Sequence, residues 1–140
     1  MFTENDLIYD IRALGIEEGD LLTVHTSLKA IGEIDGQGKS GAETVIDALR
    51  TCVSKGILMI PAHTYQNIRE VPVFDIRRTM PCIGTMPCVA VEMANRAVDM
   101  GDKTCVRSMQ VSHSVVAIGE NAYEFVECDR YVRTRTPMSG

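Results

Sequence analysis

The sequence has no tryptophan, and aromatic residues make up only 5% of it. That scarcity argues against stacking platforms for bases or sugars. No apolar run approaches the ~20 residues that span a bilayer. Nor is there an excess of basic residues: 14 Lys and Arg stand against 19 Asp and Glu, a net charge of −5. General nucleic-acid binding needs Lys and Arg to neutralise phosphates, so this balance points away from it, and it points equally away from adhesion to anionic lipid. The opening residues Met1 to Asp6 are acidic where a signal peptide is basic, which makes a cytoplasmic location the expectation. The five cysteines contain no C-x-x-C pair. An odd count without a secretion signal predicts reduced thiols rather than a disulfide framework.

What is present is enough for one ordinary domain. The chain has 140 residues and is 45% hydrophobic, so residues 1–140 are read as a single domain with a real core. Thr3, followed by Asp6, caps a first helix whose stripe is Leu7, Ile8, Ile11 and Leu14, with Gly15 at its end. Residues 21–25 read as a buried strand, and 32–41 as a polar, Gly-rich loop. Val45, Ile46, Leu49, Cys52 and Val53 mark a second helix, and 57–60 a second buried strand stopped by Pro61. Residues 62–87 show no period, and loops of that length in compact domains are usually functional. Two near-identical tetrapeptides, 79–82 and 85–88, read as turns, the second opening a helix through Val89, Met93, Ala94 and Ala97. A strand at 114–118 and a short helix at 122–128 follow, then a basic, polar stretch at 130–140. That last stretch resembles no finished element, so it is either a loose tail or a cut within a longer protein. Strands alternate with helices, and the apolar strand runs predict an α/β fold with a sheet covered on both faces.

Three constellations carry candidate chemistry. Gly38-Lys39-Ser40 suggests a phosphate-binding P-loop, but the position five before Gly38 is Glu33, and Gly32 is one residue out of register. A carboxylate inside the cradle would repel phosphate, so a flexible surface loop is the preferred reading. His25 and His63 each follow a predicted strand, at the carboxyl ends where α/β sheets bind ligands, and His113 precedes another. Three imidazoles could hold zinc, yet no H-x-H or H-x-x-x-H spacing organises them. Structural histidines hydrogen-bonded to backbone are preferred, and no metal is expected. Cys82 and Cys88 have Arg77 and Arg78 nearby, which could lower a thiol pKa, although small buried hydrophobes fit them better. After the first strand, His25-Thr26-Ser27-Leu28 offers backbone donors for a pyrophosphate or an oxyanion.

Taken in order, these pieces resemble the aminoglycoside 3-N-acetyltransferases, the antibiotic N-acetyltransferase family. Residues 21–32 are similar to its v-H-S-S-L-x-x-x-G opening, and 56–65 to its G-T-L-x-M-P-T-x-T strand and loop. Phe74-Asp75 with Arg77, Arg78, Thr79 and Gly84 resembles F-D-x-x-x-T-P-x-x-G. Arg107-Ser108, Ser114 and 117–119 resemble R-S-x-H-P-x-x-S-x-x-A-x-G, and Thr136-Pro137 falls where members enter a T-P-x-G-x-G-S turn. The resemblance implies an α/β fold distinct from the GNAT acetyltransferases, and transfer of acetyl from acetyl-coenzyme A to the 3-amino group of a 2-deoxystreptamine antibiotic, hence antibiotic resistance. It implies His113 and His25 as catalytic residues. His25, Thr26, Ser27, Leu28, Arg107 and Ser108 would bind the cofactor, and Asp75, His63 and Tyr65 the substrate. An acidic surface suits a polycationic acceptor.

The sequence also departs from the family pattern. Gln110-Val111 stands where the family has His-Pro, and an amide is no base near neutral pH. Cys88 stands at the family's Glu in P-E-x-F-R, and Val91 at its Arg. Members continue well past residue 140, so the resemblance implies an N-terminal portion of a longer domain, of little activity alone and prone to self-association through uncovered edges. A non-catalytic α/β binding or interaction domain derived from the family is the alternative, and a zinc hydrolase a distant third. Partners are small molecules, with no nucleic acid and no membrane.

Overall fold

The computed structural model describes residues 1–131. In chain order the elements are β1 (Phe2–Thr3), α1 (Glu4–Ala13), β2 (Leu21–Thr23), α2 (Leu28–Ile31), β3 (Ile34–Asp35) and α3 (Gly41–Cys52). They continue with β4 (Ile57–Pro61), α4 (Tyr65–Glu70), α5 (Thr85–Asp99), β5 (Cys105–Arg107), β6 (Val115–Ile118) and α6 (Ala122–Tyr131). The main sheet runs β2-β4-β6-β5. β2 and β4 are parallel, with Leu22 opposite Leu58, while β4–β6 and β6–β5 are antiparallel. The mixed directions follow from the connections: α3 carries the chain from β2 back to a parallel β4, whereas β5 and β6 are joined by a short loop.

Local chemistry starts the helices. Thr3 Oγ1 accepts from Asp6 N while Asp6 returns a bond to Thr3 N, and Ser40 and Glu43 make the same reciprocal box on α3. α3 and α5 then bury complementary stripes. Val45, Ile46 and Leu49 meet Ala90, Val91 and Ala94 over Leu58, Ile60 and Val116, with Leu7 and Ile11 of α1 packed alongside. On the opposite sheet face Met59, Val115 and Ala117 are covered by Ala122 and Val126 of α6. Helices therefore lie on both faces, as the sequence predicts.

Five short elements carry no sequence signal of their own. β1 and β3 form a two-residue parallel pair, α2 is four residues long, and α4 and β5 fall in stretches without period. Their hydrogen bonds close across the chain, which local pattern cannot reveal. The expected loop at 32–41 is thus partly ordered by β3. Its Lys39 Nζ sits 2.7 Å from Glu4 Oε2 and 2.8 Å from Asp47 Oδ2, which raises the pKa of the ammonium. Already committed to two carboxylates, Lys39 locks α1 to α3 instead of serving a phosphate. The Thr136-Pro137 segment and the 130–140 tail expected from sequence lie outside the described residues apart from the end of α6. No helix among the described residues is long and apolar enough to cross a membrane.

Candidate active site

The carboxyl ends of β2 and β4 open onto two adjoining cavities. The first, about 310 Å³, is lined by His25, Thr26, His63, Tyr65, Met86 and Pro87 among others. The second, about 380 Å³, is lined by Thr26, Ser27, Lys29, Gly84, Thr85 and Met86 among others. They share Thr26 and Met86, so they form one groove with two chemically distinct ends.

The second cavity is the donor-rich end. Ser27 begins α2 and Gly84 begins α5, and neither supplies a side-chain cap. The Thr85 and Met86 amides at the start of the fifteen-residue α5 therefore keep their hydrogen-bonding capacity, Pro87 having no N–H, with no acidic residue in that turn to compete for them. Lys29 adds the only full positive charge among the described residues of this cavity's wall. Amides at a helix N-terminus next to an ammonium suit an anion.

Imidazoles dominate the first cavity. The His63 and His113 rings meet edge to face with centroids 4.9 Å apart, and Tyr65 lies 5.9 Å from His113 and 6.2 Å from His63. His113 Nδ1 is 2.8 Å from Ser112 Oγ. His63 Nε2 is buried and has no hydrogen-bond partner among the described residues. Burial, with His113 and His25 as neighbouring imidazoles, holds the His63 pKa below the ordinary histidine value. This differs from the expected backbone-bonded histidines, because no ring nitrogen among the described residues bonds to backbone. No group of three His, Cys, Asp or Glu among the described residues is placed to hold a metal.

The backbone around His63 is fixed from several directions. Ala62 N donates to Ser114 O at 2.8 Å and Thr64 N to Ser112 O at 2.9 Å. Thr64 Oγ1 donates to Val111 O at 2.6 Å, and Cys82 N and Sγ both reach His63 O. Tertiary contacts thus tie the aperiodic segment 62–82 to the β5–β6 connection.

The expected residues divide into two groups. His25, Thr26, Ser27, Leu28, His63 and Tyr65 line the groove, and His113 packs against His63 and Tyr65. Arg107, Ser108 and Asp75 serve the scaffold. Arg107 is 4% exposed and Ser108 1%. Arg107 Nη1 donates to Ile76 O and Thr79 O at 3.0 and 2.6 Å, its Nε to Ser114 Oγ at 3.1 Å, and its guanidinium lies 5.0 Å from the Phe74 ring centroid. Ser108 Oγ accepts from Val115 N, and Asp75 Oδ1 accepts from Arg77 N and Arg78 N in a turn. None of the three lines either cavity. The cysteine readings also separate. Arg77 is bound to Asp99 and is not among the groups acting on the Cys88 thiol. Burial raises Cys52 and Cys88 and pushes Cys105 up to about 11, so these are protonated thiols. Met86 and Thr85 escaped sequence reasoning. Gly84, the α5 start next to them, was the available signal.

A family model described as aminoglycoside 3-N-acetyltransferase matches residues 23–138. An aminoglycoside N(3)-acetyltransferase III of a Salmonella species is 53% identical over 53 residues, 38% of this chain and 17% of that protein. Aminoglycoside N(3)-acetyltransferase VIII of Streptomyces fradiae is 38% identical over 80 residues, 56% of this chain and 25% of that protein. Among solved structures, the acetyltransferase AAC(3)-IIb superposes with a TM-score of 0.70 at 30% identity, over 91% of this chain and 49% of its own. AAC-IIIb in a binary complex with CoASH gives 0.68 at 27%, over 89% and 48%. The chain spans about half the length of these solved relatives. With the model match covering most of its residues, the chain belongs to the aminoglycoside 3-N-acetyltransferase family.

Proposed function

We propose that the groove receives acetyl-coenzyme A and that the chain supports acetyl transfer to the 3-amino group of a 2-deoxystreptamine aminoglycoside, a resistance reaction. The observation that carries this is the division of the groove: amides and Lys29 at one end, imidazoles at the other, joined through Thr26 and Met86. A ligand with a phosphate-bearing body and a reactive acyl end fits that polarity. The α5 amides and Lys29 would hold the phosphates. The thioester would lie toward His63, where an imidazole can take a proton from the attacking amine and local donors can stabilise the oxyanion. No metal is required, because the thioester is already activated. Acetyl-coenzyme A is a cytoplasmic metabolite, so this reading carries a cytoplasmic site of action.

The reading is tested by titrating the full chain with coenzyme A in a calorimeter and by following thiol release from acetyl-coenzyme A with an aminoglycoside acceptor. Ser27→Trp would fill the second cavity and should weaken coenzyme A binding by at least tenfold, about 1.4 kcal/mol, with the thermal midpoint little changed because Ser27 is exposed. Unchanged affinity would move the coenzyme elsewhere. A second reading, a binding domain without chemistry, draws on Gln110, which lines neither cavity. Coenzyme A binding without any thiol release would favour it.

A further inference from the structure

We propose that the imidazole of His63, on the connection between β4 and α4, is the group that takes the proton from the acceptor amine, a role Gln110 has no titratable group to fill. The inference rests on the acyl-transfer reading above and assigns its base. Three independent features single out His63 among the candidates.

The first feature is placement. His63 lines the cavity at the imidazole end of the groove, at the carboxyl end of a central strand, where its backbone is pinned to β6, to the residues before it, and to Cys82. A base held by a rigid scaffold keeps its geometry through the reaction. By contrast His25 and His113 are both exposed, and His113 Nδ1 is engaged by Ser112 Oγ.

The second feature is the unpaired nitrogen. His63 Nε2 is buried with no partner among the described residues. A buried polar atom left in this state costs ~1–3 kcal/mol, which a hydrogen bond from the acceptor amine would recover once the ring turns that nitrogen toward the cavity.

The third feature is the charge environment. The groups facing His63 are His25 after β2, Tyr65 on α4, Cys82 before α5 and His113 before β6. Among the described residues no carboxylate faces it, and burial, followed by the neighbouring imidazoles, favours the neutral ring. A neutral imidazole is the form that can accept a proton.

The step balances without a further reactant. The neutral amine attacks the thioester carbonyl and its C–N bond forms. His63 takes the proton released from that nitrogen. The C–S bond breaks and His63 returns the proton to the departing sulfur, giving the amide and free thiol.

The test uses the full chain. Coenzyme A affinity is measured first by calorimetry for the wild type, His63→Gln and His63→Asn, with thermal unfolding as the control for folding. Thiol release from acetyl-coenzyme A with a 2-deoxystreptamine acceptor is then followed across pH 5 to 8. Both variants should bind coenzyme A within about threefold of wild type and lose ~10²–10⁴-fold in kcat/KM. Added imidazole should restore part of the activity of His63→Ala. Wild-type activity should be kept above the His63 titration and lost below it, with the midpoint under the ordinary ~6.5. The same midpoint should appear for the His63 ring in an NMR titration. Absence of coenzyme A binding by the wild type would remove the acyl-transfer reading itself. Coenzyme A binding with thiol release that is equal with and without His63, or a His63 midpoint at or above the ordinary value, would overturn the assignment of His63 and leave the coenzyme site standing.

Discussion

Gly56→Ala should cost about 3 kcal/mol, the upper part of the range for forcing extra atoms into a packed interior. Gly56 sits where the chain leaves α3 and enters β4. A β-carbon there would lie inside contact distance of the Asp20 carbonyl oxygen and of Gly19. Asp20 O is not free to move aside, because it accepts the Ile57 amide at 3.1 Å, and Glu18 O accepts Lys55 N at 2.9 Å. The clash is backbone against backbone, so no side-chain rotation relieves it. It falls at the first rung of the β2–β4 ladder, where Leu21 pairs with Ile57, and it would prise the edge strand that carries His25 from the strand that carries His63. Thermal unfolding should show a midpoint lowered by roughly 10 °C for a domain of this size. A shift below about 2 °C would mean that the two strands do not approach as closely as the structure has them.

Arg107→Met should cost about as much, by a different route. The guanidinium is buried, and burial works against its charge. Its hydrogen bonds reach Ile76, Thr79 and Ser114, and no salt bridge to a carboxylate is among them. Removing the charge relieves a desolvation penalty. It also strips charged donors from the Ile76 and Thr79 carbonyls, each left unsatisfied at ~1–3 kcal/mol, while the Ser114 hydroxyl keeps its bond to Ala62 O. The second effect exceeds the first, because a methionine offers no donor to either carbonyl. The net loss is expected near 3 kcal/mol. It should be accompanied by faster amide exchange around residues 76–79, whose carbonyls Arg107 ties to β5. Arg107→Lys should recover little, because one ammonium cannot span positions served by a planar fork. Retained protection around 76–79 in Arg107→Met would show that this turn is ordered by other contacts.

These two residues also mark the limit of what could be read from the chain alone. The stripes of α1 and α3 were legible because apolar residues recur at helical spacing, and Thr3 with Asp6 announced a start by local chemistry that needs no partner. β4 and β6 were legible as short apolar runs because both of their faces are buried. Family motifs named His25, Thr26, Ser27, Leu28, His63 and Tyr65, and the structure gathers them on one groove. Arg107 and Ser108 belong to the same motifs, yet their side chains turn inward to hold the scaffold. A motif records which residues stand at which spacing and says nothing about which way each side chain faces.

The sequence by itself determined the elements whose stabilising contacts are local or periodic: the capped helices, the buried strand runs, and the α/β alternation. Only the tertiary structure decided the strand order β2-β4-β6-β5, the order within 62–82, and the meeting of His63 with His113 across 50 positions of chain. The reason is physical. Those features rest on hydrogen bonds and ring contacts between residues far apart in sequence, which exist only once the sheet has closed and have no period to leave in the chain.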